Sequence, residues 1–401
     1  MRPRRVRIWV VGLGTVGQWL LRAIDAHERG LAERHGVAFD VVAIANRREG
    51  FVFREEGLDI RAALEGAARG DALTQLSHTA RWTDALEGMR ATEANVLVEV
   101  SASPAADGEP GIAHMREALG RGIAVVTSNK WPVALRGVEL RRRADEAAVP
   151  FRAESTVMSG TPVLGPLTEG LAGASPRALR GVLNATANFI LTRMADGVAY
   201  EQALAEAQRT GLAERDPSDD VDGNDAVAKV MILAGLVFGC QLRRQDVLCR
   251  GISTIAESDV ARARGDGAAI KEVAILSRTG AAGDGELRAR VEPVALAPGD
   301  ALATVGGTTN AIVCRVDPLG EVMITGPGAG LELAGQGVFS DLINVARWLR
   351  PSRGTDRRHA AARHERLRPN LLGGALVASP ARARGSRRSA APERPSDRRG
   401  R

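Results

Sequence analysis

The sequence predicts an α/β fold of one large or two medium domains, and three observations support this prediction. Near the start of the chain, the apolar segment Val6–Val11 runs directly into a glycine-rich motif and then into a helical pattern. Apolar strands and helices go on alternating to about residue 148, as is typical of a parallel sheet covered by helices. Over about 270–326, strands separated by turns replace this alternation.

The first motif is Gly12-Leu13-Gly14-Thr15-Val16-Gly17, and the helix after it is predicted over about Thr15–Glu28. A GxGxxG motif between a strand and a helix allows a tight turn, close approach to a pyrophosphate and close helix–strand packing. The sequence therefore predicts a Rossmann-type dinucleotide site at Gly12, Gly14 and Gly17, with Thr15 and Val16 beside them.

The second predicted strand, Phe39–Ala45, bears on the choice of dinucleotide because it ends in Asn46-Arg47-Arg48. An acidic residue usually binds the ribose hydroxyls of NAD at this place, whereas arginine suits the 2′-phosphate of NADP. We therefore expect NADP(H) to be preferred to NAD(H), with a solvated basic loop as the alternative reading of Arg47 and Arg48.

Two further strand ends carry polar residues. The strand Asn95–Val100 is followed by Ser101, and the strand Ala124–Thr127 is followed by Ser128, Asn129 and Lys130. Ligands of open α/β sheets bind at the carboxyl ends of strands. Ser101 and Lys130 are therefore candidate site residues. The helices predicted beside these strands cover about 110–120 and 133–148.

The second part of the chain is predicted from shorter signals. Pro162 suits the first turn of a helix, and Asp317-Pro318-Leu319-Gly320 suits a hairpin turn. The predicted strands are Pro150–Glu154 and Leu179–Thr186, and the predicted helices are Asn188–Met194, 199–210, one that includes Ala226–Ala234, and an amphipathic closing helix over about 335–349.

Residues 211–229 form the most unusual stretch, because they crowd six carboxylates together and end on Lys229. The chain has only three lysines, Lys130, Lys229 and Lys271, against 51 arginines. A lysine can give up its proton, whereas an arginine cannot. On the helix that follows Gly223, Asp225 and Lys229 stand four residues apart on one face.

Two other readings of this stretch compete with a functional one. An acidic helix N-terminus with an ordinary i,i+4 pair stays open as an alternative. Ser218-x-Asp220-x-Asp222-Gly223 also imitates the start of a calcium loop, but Lys229 occupies the position where such a loop requires a bidentate glutamate. Calcium is therefore rejected.

Composition excludes several classes of function. The net charge of +6 comes from residues 351–401, which carry 14 arginines against four acids, so the rest of the chain carries −4. We expect the folded body to bind no nucleic acid and the Arg/Ala/Pro-rich tail 351–401 to be disordered. Cys240, Cys249 and Cys314 have no metal-ligand spacing and suit a reducing cytoplasm. No apolar run is long enough to span a membrane.

Taken together, the ordered motifs resemble those of homoserine dehydrogenase over roughly residues 5–350. They are VGLGTVG at 11–17, TSNK at 127–130, ESTVMSGTPVL at 154–164, GVLNATANFILTRM at 181–194, the stretch 211–229 and TGPGAG at 325–330. The resemblance implies reversible NAD(P)H-dependent reduction of L-aspartate 4-semialdehyde to L-homoserine, in threonine and methionine biosynthesis. It also implies a homodimer.

The resemblance implies a domain plan as well. Residues 1–148 would form the Rossmann-type NAD(P)-binding domain, completed by the helix at about 335–349. Residues 149–334 would form a central α+β catalytic and dimerisation domain with a mixed sheet. No C-terminal ACT pattern is present in the tail.

Site residues follow from the same resemblance. Lys229 would be the acid–base residue, Lys130 a second lysine at the hydride-transfer site, and Asp225 the group that orients Lys229. Glu214, Asp220 and Thr186 would contact the substrate. A monovalent cation, Na+ or K+, would be bound by Glu154 and the carbonyls of Val157, Ser159 and Thr161.

Three positions depart from the family pattern: Leu212 where an aromatic is common, Arg215 where proline is usual and Ala185 where glycine is usual. Leu212 and Arg215 adjoin Glu214, so they support an alternative, another amino-acid or hydroxy-acid dehydrogenase on the same scaffold. A nucleotide-binding regulator without turnover is a further alternative. It would require a broken site, and the sequence keeps Lys130 and Lys229.

Overall fold

The structure is a computed structural model that describes residues 3–47, 50–70, 73, 76, 79–279 and 285–349. Residues 1–350 form one compact unit. Arg48 and the tail 351–401 lie outside the described residues, so the predictions made for them stay predictions.

The first half of the chain builds a sheet that, within the described residues, has seven strands in the order β4-β3-β2-β1-β5-β6-β7. The strands are β1 (Arg4–Val11), β2 (Val37–Asn46), β3 (Gly50–Phe53), β4 (Ala80–Trp82), β5 (Val96–Glu99), β6 (Ala124–Thr127) and β7 (Phe151–Arg152). The helices are α1 (Thr15–Ala26), α2 (Glu28–His35), α3 (Ile60–Arg69), α4 (Ala85–Ala91), α5 (Gly111–Gly120) and α6 (Lys130–Glu146).

The strand order of this sheet reverses at β1, which pairs in parallel with β2 on one side and with β5 on the other. β5, β6 and β7 continue the parallel sheet, whereas β3 and β4 add an antiparallel edge. Such a reversal opens a crevice at the carboxyl ends of the neighbouring strands. The glycine motif after β1, Ser101 after β5 and Lys130 after β6 therefore share one edge of the sheet.

The second sheet is mixed, with the described strands in the order β13-β12-β8-β10-β11-β9. These are β8 (Ser175–Val182), β9 (Val247–Cys249), β10 (Ala269–Arg278), β11 (Leu287–Leu296), β12 (Thr309–Asp317) and β13 (Gly320–Pro327). The helices are α7 (Ser155–Met158), α8 (Ala185–Ala195), α9 (Tyr200–Arg209), α10 (Ser218–Val221), α11 (Asn224–Leu236), α12 (Glu257–Gly265) and α13 (Leu331–Trp348).

Several predicted boundaries were wrong for local reasons. The strand predicted over Leu179–Thr186 ends at Val182, because the Asn184 side chain caps α8 by accepting a hydrogen bond from the Ala187 amide. α6 begins at Lys130 rather than 133. Pro162 starts no α-helix; it lies between α7 and a π-helical turn at Pro166–Gly170.

The closing helix α13 packs on the first sheet and its helix α1. Its residues Val338, Leu342 and Val345 share an apolar cluster with α1 and with β1 and β2. α13 begins at Leu331, four residues earlier than predicted.

Helix α11 joins the two halves. Ala226 to Gly235 are all buried, and their apolar side chains share one core with α6 and with the inward face of the second sheet. A helix that is apolar on all sides is a buried helix. The polar side chain of Lys229, which lies on this buried helix, is thus held between the two sheets. Within the described residues, no helix is both long and apolar enough to cross a bilayer.

Candidate active site

Lys229 and Asp225 form an ion pair one turn apart on α11. Lys229 Nζ lies 2.8 Å from Asp225 Oδ2 and donates a hydrogen bond to the Leu183 carbonyl at 2.6 Å. Because α11 is buried between α6 and the second sheet, Lys229 is only 7% exposed. The ammonium is therefore held in a fixed position by two acceptors.

Lys130 reaches the same carboxylate from the other half of the molecule. It is the first residue of α6, just beyond the carboxyl end of β6, and its Nζ donates a hydrogen bond to Asp225 Oδ1. The Lys130 side chain is 41% exposed. Two lysines thus converge on one carboxylate, and the one from the nucleotide side is open to solvent.

The charges of this cluster support one another. Burial disfavours the ionised form of Asp225, but the ammonium groups of Lys130 and Lys229 outweigh burial and hold the pKa of Asp225 well below its ordinary value. Attraction to Asp225 in turn raises the pKa of Lys130, against the opposing effect of burial. Asp225 is therefore a carboxylate, and Lys130 an ammonium, at neutral pH.

Asn184 is a site residue that sequence analysis did not assign. Its amide nitrogen donates to Asp220 Oδ1 at 2.7 Å and to Asp225 Oδ2 at 3.0 Å, and the residue is 3% exposed. Its amide oxygen caps α8. An asparagine just before a helix predicts an N-cap. No local pattern predicts the bonds of Asn184 to Asp220 and Asp225, which lie 36 and 41 residues further along the chain.

The other predicted substrate residues surround this cluster less closely. Asp220 joins it through Asn184. The Thr186 hydroxyl is buried and donates to the Leu212 carbonyl at 3.3 Å, which ties α8 to the acidic stretch. Glu214 is exposed, and its backbone carbonyl accepts a hydrogen bond from Gln208. The structure thus brings Asp220 to the lysines but leaves the Glu214 carboxylate at the surface.

The glycine loop has the shape that a dinucleotide requires. Gly12 has a φ of +107°, and a Cβ there would stand 2.6 Å from the Ser101 amide nitrogen. A Cβ on Gly17 would stand 2.1 Å from the Gly12 carbonyl oxygen, whereas a Cβ on Gly14 would meet no described atom within 4 Å. Gly12 and Gly17 therefore close the turn. Gly14 faces open space at the N-terminus of α1, where amide groups attract a phosphate.

This contrast gives a paired prediction. Gly17→Ala should lower the free energy of unfolding by about 1–3 kcal/mol, because its Cβ collides with backbone. Gly14→Ala should leave the melting temperature unchanged but weaken dinucleotide binding about tenfold or more, since its methyl group occupies the phosphate side of the loop. Calorimetry of the free protein and cofactor titration separate the two effects. A Gly14→Ala variant with normal cofactor affinity would contradict this assignment of the loop.

The remaining predicted cofactor residues lie around this loop. Thr15 is exposed and Val16 half-buried in the first turn of α1, and Arg47 is exposed after β2. The Ser101 amide and hydroxyl both donate to the buried carboxylate of Glu99, the amide at 3.0 Å. Ser101 thus keeps its place beside Gly12 through a contact that the sequence did not predict.

The second carboxylate oxygen of Glu99 has a partner as well. His114 Nδ1 lies 2.6 Å from Glu99 Oε2, and both residues are buried. His114 belongs to α5, so the histidine ties this helix to the strand end that carries Ser101. The hydrogen bonds among Ser101, Glu99 and His114 fix this edge of the crevice.

The predicted cation site has a carboxylate that is already bonded. Glu154 accepts hydrogen bonds from the amides of Val163, Leu164 and Gly165. The Ser159 hydroxyl donates to the Gly328 carbonyl at 3.2 Å. No cluster of three or more His, Cys, Asp or Glu side chains that could hold a metal occurs among the described residues. A monovalent ion here would depend mainly on backbone carbonyls, such as those of Val157, Ser159 and Thr161.

Sequence comparisons show which family the chain belongs to. The family model for the homoserine dehydrogenase NAD binding domain matches residues 12–154, and the model for homoserine dehydrogenase matches residues 162–343. An NAD(+)-dependent homoserine dehydrogenase of Pseudomonas canavaninivorans is 36% identical over 341 residues, which are 84% of this chain and 96% of the relative. The homoserine dehydrogenase of Methanocaldococcus jannaschii is 34% identical over 339 residues, 84% of this chain and 98% of the relative.

Solved structures give the same result. A putative homoserine dehydrogenase from Archaeoglobus fulgidus matches with a TM-score of 0.74 at 30% identity, covering 85% of this chain and 99% of that one. A hyperthermophilic archaeal homoserine dehydrogenase in complex with NADPH matches with a TM-score of 0.72 at 33% identity, covering 87% and 100%.

The fold and the lysine–aspartate cluster beside a dinucleotide loop define an NAD(P)-dependent oxidoreductase acting on a CH–OH group. More narrowly, the chain belongs to the homoserine dehydrogenase family. The predicted fold class, a Rossmann-type nucleotide-binding part with an α+β catalytic part, is confirmed.

Proposed function

We propose that this chain catalyses the reversible NAD(P)H-dependent reduction of L-aspartate 4-semialdehyde to L-homoserine, with Lys229 as the acid–base residue. The observation that carries this proposal is the convergence of Lys229 and Lys130 on Asp225, at the sheet edge that also holds the glycine loop. Reducing an aldehyde requires a hydride and a proton. A dinucleotide at the glycine loop would supply the hydride, and the lysine–aspartate cluster would supply the proton.

The proton is the part that this chain supplies. Lys229 is fixed by Asp225 and the Leu183 carbonyl, so its ammonium can be aimed at one oxygen atom. As the carbonyl carbon is reduced, negative charge develops on that oxygen and Lys229 donates a proton to it; in oxidation it takes the proton back. The bound dinucleotide supplies the hydride. Asp225 orients Lys229, and its negative charge offsets the repulsion between the two lysines.

Lys130 has a separate role in this proposal. It is more exposed than Lys229 and starts the helix after β6, on the side of the glycine loop. A second ammonium here stabilises the developing alkoxide and orients the aldehyde before proton transfer. Asp220, Glu214 and Thr186 would bind the polar groups of the amino acid, with the carboxylates suited to its ammonium.

The choice of dinucleotide is part of the proposal. Arg47 is exposed where the 2′-phosphate of NADP would lie, which supports NADP(H) over NAD(H). Among the similar proteins, one is named as NAD(+)-dependent and one was solved with NADPH, so relatives differ in this respect.

Removing the two arginines tests this choice. Replacing Arg47 and Arg48 with alanine should weaken NADPH binding by roughly 1–3 kcal/mol, the value of a lost charged hydrogen bond, and NADH binding much less. Fluorescence titration of both cofactors measures the difference. Arg29→Ala, on α2 and 91% exposed, is the matched control. Equal losses for NADPH and NADH would show that the arginines are a solvated loop.

Further properties complete the proposal. We propose a homodimer in the cytoplasm, a domain boundary near residue 148, and a Na+ or K+ site formed by Glu154 with the backbone carbonyls of Val157, Ser159 and Thr161. Gel filtration with light scattering tests the dimer. Comparing turnover in sodium, potassium and large organic cations tests the ion site, and equal rates in all three would remove it from the proposal.

A substrate panel separates this proposal from its nearest alternative. Leu212 and Arg215 adjoin Glu214, so the amino-acid end of the substrate is where another specificity would originate. The protein should oxidise L-homoserine with NADP+ far faster than it oxidises L-serine, L-threonine or 4-hydroxybutyrate. Faster turnover of a hydroxy acid that lacks the ammonium group would favour the alternative dehydrogenase, and no turnover of any alcohol would favour a nucleotide-binding regulator.

A further inference from the structure

Glu272 is a buried acid that neither the sequence analysis nor the proposed reaction uses. It lies on β10 and is 2% exposed. Along β10, Ala274 and Leu276 belong to the same core cluster as α11, whereas Lys271 on the opposite face donates to Asn188 on α8. Because side chains alternate along a strand, Glu272 points toward α11.

The carboxyl group of Glu272 is unsatisfied. Neither of its oxygens has a hydrogen-bond partner among the described residues. Its Oε1 lies 3.4 Å from the point where a Cβ on Gly223 would stand, and Gly223, with a φ of +81°, is the residue from which α11 starts. Burying a carboxyl without a partner is costly, and such groups occur most often where function requires them.

The surroundings of Glu272 belong to the active site. The groups whose charges act on Glu272 are Asp225 and Lys229 on α11 and Asp220 just before that helix. The Cys249 thiol on β9 also lies near Glu272, with Asp222 and Arg244 beside the thiol. The neighbouring strand β11 contributes the apolar side chain of Val291 near Gly223. Glu272 is therefore a second acid near the Asp225–Lys229 pair, and neither of its carboxyl oxygens has a hydrogen-bond partner among the described residues.

We propose that Glu272 is a positioning residue for proton transfer: its carboxyl group is buried beside the start of α11, and a negative charge on it slows the transfer of a proton from Lys229. Ionisation releases one proton to solvent and leaves one more negative charge behind the Asp225–Lys229 pair. That charge attracts the proton that Lys229 transfers and so opposes its movement to the alkoxide. The proposal rests on the proposed reaction.

The direction of titration fits this role. Burial raises the pKa of Glu272 to about 8, the charges of Asp225 and Asp220 add to this rise, and that of Lys229 opposes it. Glu272 is therefore protonated at neutral pH and ionises in the alkaline range. The unfolded chain loses this proton near the ordinary value of 4.5. Stability from the neutral carboxyl is thus complete in acid and falls as pH rises toward 8.

Kinetics of Glu272→Gln test the proposal, because glutamine keeps the shape of the neutral acid but cannot ionise. The kcat for aldehyde reduction should match wild type near about pH 6.5 and exceed it roughly three- to tenfold near about pH 9.5, the effect of one nearby unit charge on proton transfer. Glu272→Leu should show the same pH dependence. Glu292→Gln, on neighbouring β11 and paired with Arg290, should follow wild type throughout.

A ratio of variant to wild-type kcat that stays constant across this range would overturn the proposal, since a purely structural residue changes kcat equally at every pH. Melting temperatures provide a readout that needs no substrate. Glu272→Gln should melt at the same temperature as wild type in acid and increasingly above it toward about pH 9. Parallel melting curves would also overturn the proposal. If wild type reduces no aldehyde at any pH, the proposed reaction fails, and melting still decides whether Glu272 is neutral.

Discussion

Replacing Lys229 with methionine is expected to lower kcat by roughly 10²–10⁴-fold, the usual contribution of a positioned acid–base group. Methionine fills much of the same space in the buried helix α11 but carries no proton to donate. Affinity for NADPH should change little, because the glycine loop lies on the other sheet and does not involve this side chain. Steady-state kinetics together with cofactor titration measure both quantities.

Two further lysine variants sharpen this result. Lys229→Arg should restore little activity, since a guanidinium keeps its charge but does not give up its proton. Lys271→Met is the matched control: Lys271 is also buried, at 5% exposure, but it lies on the opposite face of β10 and contacts Asn188. Its kcat should stay near that of wild type. An arginine variant with near-wild-type turnover would mean that Lys229 is only an ordinary helix ion pair.

Replacing Asp225 with asparagine should damage both stability and catalysis. The amide can still accept hydrogen bonds but cannot balance the charges of Lys130 and Lys229. Leaving a buried charge unpaired costs about 3–5 kcal/mol, and we expect the lower end because Lys130 is 41% exposed and screened by solvent. The kcat should fall roughly 10²-fold, because Lys229 loses its orienting partner.

The pH dependence of this loss has a definite sign. The two lysines hold the pKa of Asp225 below its ordinary value of 3.8. Its contribution to stability is therefore present above this value and is lost as pH falls through the lower, folded-state pKa. Urea unfolding should show the full difference between wild type and Asp225→Asn at neutral pH. Asp219→Asn, exposed on the same acidic stretch, should unfold like wild type, and an Asp225 variant of equal stability would contradict the ion-pair cluster.

Much of the site could be predicted from local patterns. The i,i+4 spacing of Asp225 and Lys229 depends only on helix geometry, and the glycine loop is recognisable because its neighbours are a strand and a helix. Lys130 could be placed at a strand end, but its contact with Asp225 spans 95 residues. That contact depends on how α11 packs between the two sheets, and no local pattern contains this information.

Asn184 and Glu272 could not be predicted from the sequence, for related reasons. Asn184 has a polar side chain before a helix, which predicts a cap, and its bonds to Asp220 and Asp225 depend on tertiary packing. Glu272 lies in a strand whose central residues are buried on both faces. Alternation of polar and apolar residues therefore does not predict that this acid is buried. The strand boundary at Thr186 was misjudged because the apolar pattern of β8 continues into α8.

The most direct test mixes purified protein, NADPH and L-aspartate 4-semialdehyde and follows the loss of NADPH while L-homoserine is quantified by chromatography. We expect wild type to form L-homoserine in equimolar amount to the NADPH oxidised, and Lys229→Met to form about 1% as much or less in the same time. No aldehyde-dependent oxidation of NADPH or NADH by wild type, at neutral or alkaline pH and with sodium or potassium present, would contradict the assignment of this chain's activity.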